Sequence, residues 1–297
     1  MNSVSLNLPK EEFIMKQKRI VTIQDLSCFG KCSITTALPI ISALGIETVV
    51  LPTAILSNHT GSCFSEYTFH SLEGEFDKIA DAWESHKISF DAIYVGYIGS
   101  LSLIREVERF IDRFGKDTVV FIDPAMADEG ALYRGLDNKY SSALTELCKK
   151  ADIISPNYTE ALIMANCESS NEEIQAEKLI KTLSDITDNV IITGIKEGKK
   201  LLTVSGGKDH ISTFSYPCRE GIFYGSGDIF ASAFIGFYLN GILLERASAL
   251  AAEFVSLCID NTLDEKERYD YGLKFEQKIY MLNKMLDNEI KQRNKKI

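Results

Sequence analysis

Apolar runs alternate with amphipathic stretches along most of the chain. RIVTIQD (19–25) is a compact apolar run suited to a buried strand. SITTALPIISALG (33–45) follows with helical spacing, kinked at Pro39 and closed by Gly45. IETVVLPTAIL (46–56) and FDAIYVGYIG (90–99) read as strands, with LIREVERFIDRFG (103–115) between the second and the next. That stretch sets Leu103, Val107, Phe110, Ile111 and Phe114 on one helical face. DTVVFIDPAM (117–126) and DIISP (152–156) are strands flanking a helix at 140–151, and a short helix opened by Asn157 covers 157–167. An amphipathic helix at 171–186 leads to NVIITGI (189–195), then to a hairpin over 200–217 around Gly206-Gly207. Helices at 228–240, 244–261 and 275–292 complete the pattern. Strands alternating with helices imply a mostly parallel sheet covered on both faces. The rhythm has no linker or repeat, so residues 19–297 read as one α/β domain preceded by a poorly ordered extension, 1–18.

Composition narrows the function. Of the 297 residues, 45 % are hydrophobic, enough for a large core, and the net charge of −10 disfavours a nucleic-acid-wrapping role. The seven cysteines are scattered, without paired CxxC motifs, as in a reduced, cytoplasmic protein. CFGKC (28–32) reads either as a metal or redox pair or as a turn into a helix. The first 17 residues lack an apolar signal region. The longest apolar stretch, 229–244, contains Asn240 and two glycines and falls short of the ~20 residues of a membrane span.

YGSGDIF (224–230) places Asp228 behind Gly225, Ser226 and Gly227 at the start of a greasy helix. The first amides of a helix lack internal partners and attract anions, and glycine lets a phosphate approach them. Asp228 then stands where a general base could take a hydroxyl proton, or it merely complements the helix dipole. The Walker spacing is absent.

Two acidic clusters precede this turn. DPAMAD (123–128) ends a strand, and SPNYTEA (155–161) opens a helix after the next one. Carboxyl ends of parallel strands are where α/β proteins bind ligands, and Mg²⁺ prefers oxygen ligands and keeps several waters. Asp123, Asp128 and Glu160 could hold such an ion, mostly through water. Taken singly, DP is an ordinary turn start and Asn157 an ordinary N-cap. His59, in SNHTG (57–61), is open to a base, ligand or loop-structuring role, and Tyr97 either stacks on a flat ring or covers the core edge.

In this order the motifs resemble a known family. GSGDIFASAFIGFYLNG is similar to the C-terminal signature of ribokinase-like small-molecule kinases. There the glycine turn is the anion hole and the aspartate the base, which implies those roles for Gly225, Ser226, Gly227 and Asp228. DPAMAD and SPNYTE resemble the D-P-x-[ML]-x-D and [TS]-P-N-x-x-E motifs of pyridoxal kinases. ILSNHTG, IQDLSCFGKCS and GYIGS resemble the substrate side of that family. The resemblance runs from about residue 19 to 260.

It implies a three-layer αβα sandwich, ribokinase-like, with a central mostly parallel sheet. The implied reaction is ATP-dependent phosphorylation of the 5′-hydroxymethyl group of vitamin B6. The alternatives are a hydroxymethylpyrimidine kinase of thiamin synthesis and a non-catalytic pyridoxal- or nucleotide-binding protein. Implied substrate contacts are Asp25, Ser27, Thr60, Tyr97 and Asp228; implied ATP contacts are Asn157, Thr193, Ser226 and Gly227. Thr193 equally suits an ordinary strand end. Mg²⁺ bound with ATP at Asp123, Asp128 and Glu160, a K⁺ requirement and a homodimer follow from the same resemblance, with no nucleic-acid or membrane partner. Asp25 stands where many relatives have serine, and Leu56 where an aromatic is frequent. The residues leave open whether Asp25 meets a ring nitrogen or a ring hydroxyl.

Overall fold

The computed structural model describes residues 16–61, 63–167, 176–264 and 270–295. Most of the extension, 1–15, and the start of the expected 171–186 helix lie outside the described residues.

One sheet of nine strands runs through the molecule. Its parallel centre comprises β1 (Arg19–Ser27), β2 (Glu47–Leu56), β4 (Ala92–Val95), β5 (Val119–Ile122), β8 (Ile153–Ile154) and β9 (Asn189–Glu197). Antiparallel strands close both edges: β3 (Phe69–Ser71) beside β2, and β10 (Lys200–Gly206) with β11 (Ile211–Pro217) beside β9. The spatial order is β11-β10-β9-β8-β5-β4-β1-β2-β3. A separate two-stranded hairpin, β6 (Ala127–Asp128) and β7 (Ala131–Leu132), stands apart from the sheet.

Strand alternation produces the three layers. Val21 and Ile23 of β1, Ile93 and Val95 of β4, and Val120 and Ile122 of β5 face one core. Their neighbours Ile20, Ala92, Tyr94 and Phe121 face the other. The first core is capped by α2 (Phe76–Ser85), α3 (Leu101–Phe114), α4 (Asn138–Leu147), α5 (Tyr158–Met164) and α6 (Ala176–Leu183). The second is capped by α1 (Ile34–Ala43), α7 (Ser226–Leu239), α8 (Leu244–Leu263) and α9 (Tyr280–Asn294). The expected αβα sandwich is therefore observed.

The apolar character of α7 has a packing cause. The helix lies between α1, α8 and the sheet, and every residue from Ile229 to Phe237 is buried. A side chain such as Phe234 contributes ~1.5–3 kcal/mol by leaving water. That burial anchors the helix and fixes the position of its first turn.

Some boundaries differ from expectation. The strand expected over 117–126 ends at Ile122: the Asp123 amide still donates to Val95 O at 2.8 Å, but Pro124 has no amide to extend the ladder. The chain then forms the β6–β7 hairpin through Glu129 and Gly130, both at positive φ. The C-terminal helix starts at Tyr280, after a 3₁₀ turn over Glu276–Lys278. Among the described residues, no helix is long and apolar enough to cross a membrane.

Candidate active site

The carboxyl ends of adjacent strands bring Asp25 and Ser27 (β1), Tyr97 (after β4), Asp123 (after β5) and Asn157 (after β8) to one rim. The first turn of α7 meets this rim from the second helical layer. Gly225 is its N-cap, at φ 78°, a left-handed conformation that glycine adopts without strain. A Cβ there would stand 2.1 Å from the Lys31 carbonyl oxygen. At Gly227, by contrast, a Cβ would meet nothing within 4 Å. The first glycine is required by the chain; the second leaves the turn open.

The amides of this turn are not equivalent. Ser226 donates to the Phe223 carbonyl at 3.2 Å. Those of Gly225, Gly227 and Asp228 have no acceptor among the described residues. Of the Gly225–Gly227 set expected from the sequence, only Ser226 is committed elsewhere, and Asp228 adds a further open amide.

Asp228 is half-buried in the first turn of α7. Burial raises its carboxyl to about 7, the nearby Ser33 backbone N–H holds it lower, and Asp25 adds repulsion. Asp25 is 5 % exposed. Its Oδ2 accepts from Ser27 Oγ at 2.9 Å and its Oδ1 from Ser33 Oγ. Burial still lifts it above the ordinary carboxylate value. The Tyr97 hydroxyl is pushed up to about 12, chiefly by burial and next by Asp25. The Tyr97 and Tyr133 rings lie 6.5 Å apart at 52°, forming an aromatic wall. Asp25, Ser27, Tyr97 and Asp228 are thus brought together. Thr60 lies on an exposed loop and has no side-chain bond among the described residues.

The acidic clusters resolve differently. Glu160 is buried and accepts three backbone amides: Met126 at 3.0 Å and Ala127 at 3.3 Å on Oε1, and Asn157 at 2.8 Å on Oε2. Asn157 Oδ1 accepts the Glu160 amide at 2.9 Å, completing a capping box. Burial raises Glu160 to about 7 against these bonds. Asp123 is pushed well above the ordinary value by burial, then by Glu160 and Asp228. Asp128 is exposed, and its Oδ1 takes the Glu129 amide at 2.8 Å. Among the described residues no three acidic, histidine or cysteine side chains converge as a metal cluster. Asp123, Asp128 and Glu160 therefore do not form a direct three-carboxylate shell. A cation at Asp123 fits the donor chemistry, because it would relieve the mutual repulsion of Asp123, Glu160 and Asp228. Asn157, beyond the end of β8, and Thr193 of β9 are joined by an isolated parallel bridge, and Thr193 donates its amide to Pro156 O at 3.1 Å.

His59 has a structural task. It is buried, its Nδ1 accepts the Gly61 amide at 3.0 Å, and its ring packs edge-on to Phe64 at 4.9 Å. Burial lowers its pKa, so the ring is neutral in the loop it organises. Cys28 and Cys32 are both free thiols. Cys32 faces the site, where burial, Asp228 and Asp25 push its thiol up.

Sequence reasoning did not single out Ser33 or Tyr94. Ser33 has the signature of an N-cap, yet its hydroxyl caps nothing on α1 and reaches back to Asp25. Tyr94 is fully buried on β4, and its hydroxyl feels Asp123 and Asp228.

Comparison with known proteins places this site in context. The phosphomethylpyrimidine kinase family model matches residues 34–271. A Bacteroides thetaiotaomicron protein assigned as a phosphomethylpyrimidine kinase, solved in a crystal form with pyridoxal, superposes with a TM-score of 0.83. It is 32 % identical over 90 % of this chain and 96 % of its own. A Schizosaccharomyces pombe protein assigned as a pyridoxal kinase is 27 % identical over 72 % of each chain. The hydroxymethylpyrimidine/phosphomethylpyrimidine kinase of Bacillus subtilis is 25 % identical over 83 % of this chain and 84 % of its own. By sequence and by fold, the chain belongs to the phosphomethylpyrimidine kinase family, within the ribokinase-like superfamily.

Proposed function

We propose that this protein transfers the γ-phosphoryl group of ATP to the 5′-hydroxymethyl group of vitamin B6 compounds. The observation that carries the reading is Asp228: a carboxylate raised to about 7, beside helix amides that have no acceptor among the described residues. A base near neutrality combines adequate proton affinity with a populated ionised form. Asp228 takes the hydroxymethyl proton as that oxygen bonds to the γ-phosphorus and the bond to the β–γ bridging oxygen breaks, releasing ADP. The Gly227 and Asp228 amides donate to the transferring phosphoryl oxygens. Tyr97 and Tyr133 flank the ring, while Asn157, Thr193 and Ser226 line the nucleotide side.

Asp123, with Glu160 acting through water, would hold Mg²⁺, which supplies neutralisation of the polyphosphate charge. Asp128 reaches it only through water. We assign the enzyme to the cytoplasm and to a homodimer by analogy with the family, together with the K⁺ requirement.

A second reading has specific support: the family model and the Bacillus subtilis relative both carry pyrimidine-kinase names. Coupled ADP release, measured side by side on pyridoxal, pyridoxine, pyridoxamine and hydroxymethylpyrimidine, separates the two. The B6 reading expects the highest kcat/KM on a B6 compound. Turnover confined to the pyrimidine overturns it, and no turnover on any of them leaves only a binding protein.

A further inference from the structure

After α8 the chain crosses back over the loop between β1 and α1. Residues 271–276 are anchored from beneath. Leu273 and Phe275 are buried in the second core, the Lys274 amide donates to Thr262 Oγ1 at 2.9 Å, and Asn261 Nδ2 donates to the Lys274 carbonyl at 2.8 Å. The other side of the segment holds the loop. The Lys31 amide donates to the Tyr271 carbonyl at 2.8 Å, and the Lys31 ammonium pairs with Glu276 at 2.6 Å and lies 5.6 Å from the centre of the Phe275 ring. The Tyr271 ring packs edge-on to Phe29 at 5.2 Å and stacks on Phe64, also at 5.2 Å. One segment thus grips the two loops that carry Phe29 and Phe64.

The Lys31 main chain lies between two glycines. A Cβ at Gly272 would stand 2.6 Å from Lys31 Cβ and 2.9 Å from its carbonyl oxygen, and a Cβ at Gly225 would overlap that same oxygen. Gly272 has a φ of 121°, which disfavours any side chain. Segment 271–276, the Lys31 backbone and the first turn of α7 therefore form one close-packed stack, and a shift of the first displaces the others. Two residues beyond Lys31, Ser33 continues the loop to its bond with Asp25. The ion pair adds little by itself, since Glu276 is exposed. The backbone bond, the ring contacts and the glycine packing carry the link.

Resting on the kinase reading above, we propose that residues 271–276 are a strap that seats the 28–33 loop against the first turn of α7, with Tyr271 and Lys31 as positioning residues for phosphoryl transfer. Both act through the loop they hold rather than on the reacting atoms. A slack strap lets the loop lift from α7, and the attacking oxygen then loses its alignment with the phosphorus. In-line transfer depends steeply on that alignment. Asn157 and Thr193, on the nucleotide side, lie on other elements, so ATP affinity is outside the reach of the strap.

The test compares Tyr271→Ala and Lys31→Ala with the wild-type protein well below their melting temperatures. In each, kcat for the B6 substrate is expected to fall by about 10–100-fold, with the Kd for ATP held within about 2-fold. Tyr271→Phe keeps the ring and is expected to restore kcat to within about 3-fold of wild type. Hydrogen exchange of the peptide spanning 28–33 reports the strap without turnover, and should quicken about tenfold or more in both alanine variants. A merely structural contact would lower the melting temperature and leave kcat per folded molecule unchanged. Wild-type kcat in the folded variants, or wild-type exchange across 28–33, overturns the inference. If neither alanine variant folds, Glu276→Gln, which loses only an exposed ion pair, carries the test with an expected change of about 2–5-fold in kcat and in exchange. If the wild-type protein phosphorylates no alcohol, the kinase reading fails by itself. Exchange then still decides whether the strap holds the loop: faster exchange in the variants supports it, and unchanged exchange overturns it.

Discussion

Ser33 donates its hydroxyl to the carboxylate of Asp25, and its backbone N–H lies near Asp228, the group that stands over the open first turn of α7. The bond joins the residue ahead of α1 to the end of β1, beside the start of α7. Burial and Asp25 raise the proton affinity of Asp228, and Ser33 moderates it. The consequences below follow from that balance and from the groups around it.

The rate should fall in acid. With Asp228 at about 7 in the free protein, kcat/KM is expected to drop about tenfold per pH unit well below that value, as the base becomes protonated. Initial rates from pH 5 to 9 check this limb. A flat kcat/KM across pH 6 to 8 would show that no group of this kind controls the reaction.

Removing the charge of Asp228 should stabilise the fold. The folded-state pKa is raised above the unfolded value, so the folded state holds the proton more tightly and wild-type stability is lost as pH rises from about 4 to 7. Asp228→Asn escapes this loss. Its advantage should be largest above pH 7, at most about 4 kcal/mol and reduced by solvent around the half-buried carboxylate, and it should vanish near pH 4. Denaturant unfolding of both proteins at pH 4, 6 and 8 measures the trend.

The two glycines of the turn should behave differently when a methyl is added. Gly225→Ala meets a backbone carbonyl and a left-handed φ, so a loss of ~2–4 kcal/mol and of activity is expected. Gly227→Ala has room and should fold with nearly wild-type stability. Its methyl stands on the open side of the turn, so the KM for ATP should rise by about tenfold or more. Thermal melts and ATP titrations separate the two outcomes.

Glu160 is predicted to act mainly as a brace. Truncation to Ala leaves the Met126, Ala127 and Asn157 amides without their acceptor, at a cost of ~3 kcal/mol or more. Activity should fall with stability, because the loop after Asp123 loses its anchor. If Glu160→Ala unfolds like wild type yet binds Mg²⁺·ATP poorly, a direct ligand role replaces the structural one.

Much of this was legible in the chain itself. The alternation of apolar runs and amphipathic stretches gives away the layers, since a doubly covered parallel sheet needs continuous apolar strands. GSGD before an apolar segment marks the candidate site, because glycines ahead of a buried helix leave its first amides open to an anion. The short α2 and β3 escaped notice: FDKIADAWES shows only three turns of pattern, and an edge strand of three residues has no period to read. The bracing bonds of Glu160 were not legible, because its amide partners at Met126 and Ala127 lie 34 and 33 positions away. Ser33 was hidden for the same reason. A serine ahead of a helix signals a cap locally, and only the fold brings β1 close enough for its hydroxyl to choose Asp25 instead.

The most direct test of the central claim is the turnover of purified Asp228→Asn with ATP and pyridoxal at pH 8, alongside its affinity for ATP. The account predicts a kcat lowered by ~10²–10⁴ with ATP binding nearly unchanged. Near-wild-type turnover by the folded variant would contradict it.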